Sequence, residues 1–180
     1  MSVIYIELTQ GKQAIVDQCN ADLADLKWYT KKNSSLGKHR FYAARHSSQI
    51  DEKPQLIFLH RTVMERMLNR SLEHREYIDH KNGDGLDNLS ANLRIANHSQ
   101  NAQNRGIDCG AKSSKYKGVC WHVNRSKWVS SIRVHGITKH LGCFVIEMDA
   151  ALAYDQAAEL YFKDFAKLNF PDRVDDILRF

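Results

Sequence analysis

Tyr77-Ile78-Asp79-His80-Lys81-Asn82-Gly83-Asp84-Gly85-Leu86-Asp87-Asn88 is a short apolar run that breaks into a turn crowded with Asn, Asp and Gly. The start of this stretch predicts a strand, and its two glycines punctuate the turn that follows. Asn92-Leu93-Arg94-Ile95-Ala96 predicts a second short strand, and residues 97–105 a helix capped near Asn97. Asn is a poor residue for a helix interior, because its side chain competes with the backbone for hydrogen bonds. Something other than helix propensity therefore placed Asn101 and Asn104 in that segment.

Phosphodiester hydrolysis needs a base to activate water, a cation to neutralise developing charge, and groups that hold both. His80 is the natural base, since an imidazole titrates near neutrality. Asp79 and Asn101 offer the hard oxygen ligands that Mg²⁺ or Mn²⁺ prefers. Asn92 can accept a hydrogen bond from the imidazole and fix its tautomer. Taken singly, an Asp-His pair reads as a surface turn and an Asn as a helix cap. The four together point to chemistry.

The order Asp-His-x-Asn-Gly-Asp, Asp-Asn, Asn-Leu-Arg and Asn-x-x-Asn over residues 77–105 resembles the HNH nuclease motif in its phage homing-endonuclease form, a ββα-metal fold. The resemblance implies His80 as general base, Asp79 as a metal ligand, Asn92 as the orienting residue and Asn101 as the second protein ligand. It implies one divalent ion, Mg²⁺ or Mn²⁺, per site. Leu89 stands where the family often has Arg after the Asp-Asn pair, which removes one phosphate contact. His60-Arg61 matches a His-Arg pair common upstream of the motif. With Arg94 and Arg105, these two are candidate contacts to the substrate backbone.

Working outward, residues 1–68 alternate short apolar segments with turn signals. Residues 3–6 and 13–16 predict a hairpin around Gly11, and residues 40–44 and 55–59 predict further strands. A short helix is expected near residues 20–26, and an exposed Lys/Ser/Asn/Gly loop over residues 31–38. Residues 60–68 predict a helix with Val63, Met64 and Met67 on one side.

Beyond the motif, residues 116–122, 127–135 and 137–141 predict three strands, with a tight turn at His135-Gly136. A helix follows over residues 147–162, with Ala150, Tyr154, Ala157 and Tyr161 at helical spacing and Ala151 and Ala158 alongside. Small residues on its buried face let a helix approach a sheet closely. Residues 172–180 read as a tail.

Tyr116-Lys117-Gly118-Val119, Lys127-Trp128, Ile132-Arg133, Leu141-Gly142-x-Phe144, Ala153-Tyr154-Asp155-x-Ala157-Ala158 and Lys167-Leu168-Asn169-Phe170-Pro171 are similar to AP2/ERF domains. The resemblance implies three antiparallel strands on a helix, with the sheet presented to the DNA major groove. It offers Lys117, Trp121, His122, Arg125, Lys127, Trp128, Arg133 and Lys139 as candidate DNA contacts, with one of the two tryptophans left open as core. Cys120, Ser131 and His140 depart from the plant-type pattern, so plant-type sequence preference does not carry over.

The expected fold class is α+β. It comprises a β-rich region (1–68), a ββα-metal module (69–108), an AP2-like domain (109–171) and a tail (172–180). Charge supports duplex DNA as the partner. The net charge is only +5, yet no acidic residue lies between Asp108 and Glu147, a stretch carrying seven Lys and Arg residues. Such a single-sign block marks a polyanion partner. No run approaches the roughly 18 apolar residues of a membrane span, and no small-molecule substrate is indicated. The amino terminus lacks a secretory pattern, so a cytoplasmic location is expected. Cys19, Cys109, Cys120 and Cys143 have no ligand-pair spacing and read as reduced, buried filler. One site per chain suits a monomer or weak dimer. The open alternatives are a non-catalytic DNA-binding regulator on a degenerate HNH scaffold and an RNA-binding module.

Overall fold

Ile6, Val16, Leu23, Leu59 and Val63 are almost wholly buried and belong to one core. The structure is a computed structural model that describes residues 2–33, 40–47, 54–106 and 113–171. Strands β1 (Val3–Glu7) and β2 (Gln13–Asp17) form an antiparallel hairpin whose Ile6 and Ala14 face inward as partners. A 3-10 segment, Gln18–Asp25, adds Leu23. A second sheet holds β3 (Tyr29–Asn33), β4 (Arg40–His46) and β5 (Leu56–Phe58) in that order, all antiparallel.

Helix α1 (Leu59–Leu68) follows β5 directly. Leu59, Val63 and Met64 fall on one face at helical spacing and are buried. The helix stops at Asn69, which takes a left-handed conformation (φ 50°) that Asn tolerates well. β6 (Tyr77–His80) and β7 (Leu93–Ala96) form the next hairpin, and α2 (His98–Gln103) follows it. Leu93 joins the same core as β1, β2 and α1, with Ile78, Leu86 and Ile95 packed against it. Residues on either side of the boundary expected at 68/69 thus share one hydrophobic interior.

The chain divides into two compact units, Met1–His98 and Ser99–Phe180. The second contains β8 (Val119–His122), β9 (Lys127–Val134) and β10 (Ile137–Phe144), with β9 central, followed by α3 (Glu147–Phe162). Ala150, Ala151, Ala157 and Ala158 are buried, and their small side chains let α3 lie close to the sheet. Gly118 takes a positive φ (78°) directly under Tyr154, where a Cβ would meet the ring at 1.9 Å. Asp155 accepts hydrogen bonds from the backbone amides of Asn169 and Phe170 and from the Asn169 side chain. Asn169 in turn accepts from the Lys117 amide at 2.7 Å. This latch ties the segment after α3 to the start of the sheet.

The α+β class is observed, and four local expectations change. Lys31, Lys32 and Asn33 lie in β3 rather than a loop; they sit on an edge strand, where polar side chains meet solvent. Met67 and Tyr161 are exposed, at 47% and 40%, because each falls in the last turn of its helix, outside the buried stripe. Cys19 and Cys120 are exposed and Cys143 is half-buried, all as free thiols rather than core filler. The expected tail, the 108/109 boundary, Cys109 and Lys112 lie outside the described residues.

Candidate functional site

His80 ends β6, and the turn after it is built by its own polar side chains. Gly83 takes φ 83° and its amide bonds the His80 carbonyl at 2.8 Å. Asn92 is the central staple. Its Oδ1 accepts from the Asn82 amide at 3.0 Å, and its Nδ2 donates to Asn82 Oδ1 (3.1 Å) and the Asp87 carbonyl (2.8 Å). Asn82 also donates to Asp87 Oδ2 at 2.7 Å. These are side chains that satisfy turn backbone locally, which explains the Asn/Asp density of the stretch.

The amino-terminal hairpin holds the other side of the turn. The Ile15 amide donates to the Leu86 carbonyl (2.9 Å), the Asn88 amide to the Ile15 carbonyl (2.8 Å), and the Ser90 amide to Asp17 Oδ2 (2.7 Å).

Asp79 and His80 are buried, at 4% and 6% exposure. Asp79 Oδ2 is held by Arg94 from the partner strand, with Nη2 at 2.6 Å. His80 Nε2 meets Asn88 Oδ1 at 3.4 Å. Asn88 is fully buried and its Nδ2 already donates to the Leu86 carbonyl, so its oxygen faces the imidazole as acceptor. This contact favours the tautomer with the proton on Nε2, which makes Nδ1 the candidate basic nitrogen. The sequence points to Asn92 as the imidazole's partner, whereas the structure puts Asn88 there and gives Asn92's side chain to the turn. Asn88 was visible as half of the Asp-Asn pair, but nothing in the pattern assigned it a role.

Burial pushes His80 below its ordinary pKa, against the opposing pull of Asn88 and the carboxylates of Asp79, Asp84 and Asp87. His60, in the first turn of α1, stands 5.3 Å from the His80 ring, edge to face. Burial, reinforced by His80 and Arg61, holds His60 down at about 3. Its Nδ1 is buried without a hydrogen-bond partner. Arg61 is half-buried beside it. Tyr42 touches both imidazoles, and no local sequence signal marks it.

Asn101 and Arg105 belong to the second unit. Asn101 lies on α2, which starts in the first unit at His98, and Arg105 follows that helix; both are half-buried. Among the described residues, no group of three or more His, Cys, Asp or Glu side chains is gathered to hold a metal ion. A zinc centre would need such a group. A Mg²⁺ or Mn²⁺ site held by one carboxylate, one amide oxygen and water would not. The buried Asp79 carboxylate fits the second kind.

In the second unit, register sorts the side chains into two faces. Ser130, Ile132 and Val134 of β9 are buried towards α3, so their partners Val119, Lys139 and Ile137 share that side. Trp121 and Trp128 are cross-strand partners on it too, 5.0 Å apart and edge to face. Trp128 packs against the cluster of Val119, Ala150 and Ala151. Lys139 Nζ lies over the Tyr161 ring and donates to its hydroxyl at 3.1 Å. Lys117 donates to the Gln103 carbonyl at 2.5 Å, and burial pushes it down to about 8.

The opposite, open face carries His122 beside Lys127, Ser131 beside His140, and Arg133 beside Thr138. Cys120 and Cys143 flank Val129 there, and Arg125 Nη1 approaches Cys143 Sγ at 3.4 Å. Of the eight candidate DNA contacts, His122, Arg125, Lys127 and Arg133 thus belong to the open side. Trp121, Trp128 and Lys139 lie on the helix side, and Lys117 is turned inward.

The chain is similar to an uncharacterised HNH endonuclease of Acanthamoeba polyphaga mimivirus, 26% identical over 140 residues, covering 78% of this chain and 70% of the relative. It is also similar to an ethylene-responsive transcription factor of Arabidopsis thaliana, 38% identical over 77 residues, 42% of each chain. The match therefore spans less than half of the plant protein. No protein-family model matches the chain, and no solved structure matches it. Among the described residues, no helix is long and apolar enough to cross a membrane.

Proposed function

We infer that this chain is a divalent-metal-dependent HNH endonuclease that binds duplex DNA through its second unit. The observation that carries the reading is the His80 imidazole. It is buried, pushed below its ordinary pKa by that burial, bonded through Nε2 to Asn88, and stands next to a buried carboxylate. That is the state a general base needs before a water molecule arrives.

In the proposed reaction, His80 Nδ1 takes a proton from water as the oxygen attacks phosphorus. The P–O3′ bond breaks and the leaving oxygen takes a proton from solvent, giving a 5′-phosphate and a 3′-hydroxyl. Asp79 would hold the cation, which would supply electrostatic stabilisation of the phosphate charge when bound. Arg61, His60 and Arg105 are proposed to face the substrate backbone, whereas Arg94 is engaged by Asp79. His122, Arg125, Lys127 and Arg133 are proposed as the DNA contacts of the open sheet face. Similarity to an HNH endonuclease supports the chemistry, and similarity to a transcription factor supports DNA as partner.

The test is nicking of supercoiled plasmid with Mg²⁺ or Mn²⁺. Cleavage by the wild type that vanishes in His80→Ala supports the reading, and cleavage that survives the substitution sinks the assigned base. A second reading is a non-catalytic DNA-binding regulator, favoured by the likeness of the second unit to a transcription factor. It predicts duplex binding with no cleavage under any divalent metal.

A further inference from the structure

We propose that Tyr42 is a positioning residue for His80, setting the orientation of the imidazole from the amino-terminal sheet. The inference rests on the nuclease reading for its catalytic consequence, but its geometry stands independently. The hydrogen bond from His80 to Asn88, at 3.4 Å, is at the long end of the useful range. Packing of neighbouring rings adds to that restraint.

Tyr42 lies on β4, and its ring centroid is 6.0 Å from that of His80 and 5.5 Å from that of His60. His60 is 5.3 Å from His80 at an interplanar angle of 81°. His80 is therefore bracketed by two rings set at steep angles, an arrangement aromatic quadrupoles favour. Phe58, at the end of β5, backs both rings, stacked on His60 at 5.3 Å and edge-on to Tyr42 at 6.2 Å.

Tyr42 cannot retreat from this position. Gly85, in the turn after His80, lies so close that a Cβ there would meet the Tyr42 ring at 2.6 Å and the Phe41 carbonyl at 2.5 Å. The glycine lets the turn close over the tyrosine, so strand and turn interlock around one ring. Three segments distant in sequence thus converge on the orientation of one imidazole.

The test uses the full chain with histidines labelled for NMR, together with single-turnover plasmid cleavage. In the metal-free wild type, ring protons of Tyr42 and His80 should show mutual cross-relaxation. Tyr42→Phe keeps the ring and should cleave within about threefold of wild type. Tyr42→Leu should shift the His80 ring resonances and lower kcat by about 10- to 100-fold with KM little changed, the scale of a misplaced catalytic group. Unchanged His80 resonances in Tyr42→Leu, or a kcat within threefold of wild type, would overturn the proposal. Should Tyr42→Leu not fold, absence of the Tyr42–His80 cross-relaxation in the wild type overturns it equally. A wild-type chain that cuts no DNA defeats the nuclease reading instead, and the resonances still decide the role of Tyr42.

Discussion

Arg94 grips Asp79 by a single oxygen: its Nε and Nη2 lie 2.7 and 2.6 Å from the same Oδ2. Both side chains are largely buried, at 15% and 5% exposure. The guanidinium neutralises a buried carboxylate.

Arg94→Met should therefore destabilise the first unit by about 3 kcal/mol, the scale of leaving a buried charge without its partner. Mn²⁺ should restore part of that loss, because a cation can replace the guanidinium at the carboxylate. Thermal unfolding with and without Mn²⁺ measures both. Equal destabilisation at all metal concentrations would separate Asp79 from metal binding.

Asn88 and Asn92 should respond differently to truncation. Asn88→Ala removes the acceptor for His80 Nε2 and should lower kcat roughly tenfold to a hundredfold, with a stability loss of about 1 kcal/mol from the lost bond to the Leu86 carbonyl. Asn92→Ala removes three hydrogen bonds of the turn and should cost about 2 kcal/mol of stability as well as activity. Urea unfolding beside plasmid nicking distinguishes the two.

Acid should unfold the first unit through His60. Its pKa in the folded chain is about 3, against 6.5 when exposed, because of burial. Between those values the unfolded chain binds more protons, so stability rises with pH. The contribution is present above pH 6.5 and is lost as pH falls towards 3. His60→Phe should flatten the dependence of Tm on pH over that window. His80 is depressed by the same cause, so the acid limb of kcat/KM should lie below pH 6.5.

On the second unit, Arg133→Ala and Lys127→Ala should each reduce the salt slope of DNA binding by about one unit, as expected for a lost phosphate contact. Lys139→Ala should leave the slope unchanged, since that ammonium is engaged with Tyr161 on the helix side. Fluorescence anisotropy across a salt series reads the difference.

The elements themselves were largely legible. The 3.6-residue stripe of Ala150, Tyr154 and Ala157 marks α3 to its ends, and the Gly11 hairpin and the β6–β7 pair follow from local pattern. The sequence did not show which face each residue would take. Trp121, Trp128 and Lys139 look like DNA ligands in a basic block, yet pairing with Trp128 and Ile132 turns them to the helix side. A β-bulge between His140 and Gly142 shifts the register there, and a side-chain period of two cannot anticipate such a slip. At the candidate site, Asp79 and His80 stood out by chemistry. Tyr42 and Asn88 did not, because their importance lies in long-range packing and in a choice between chemically identical asparagines.

The backbone bonds from Ile15 to Leu86 and Asn88 stitch the first hairpin to the turn beyond His80. A segment starting at residue 69 would carry every motif residue of the β6–β7 hairpin yet lose the strand edge that shapes its turn. Exchange of parts between such proteins, whether by recombination or in chimaeras made at the bench, should accordingly succeed with crossovers beyond Arg105, which leave α2 whole. It should fail with crossovers near 68/69. The heritable unit of this candidate site then reaches back to β1 and β2, well beyond the short motif by which it is recognised.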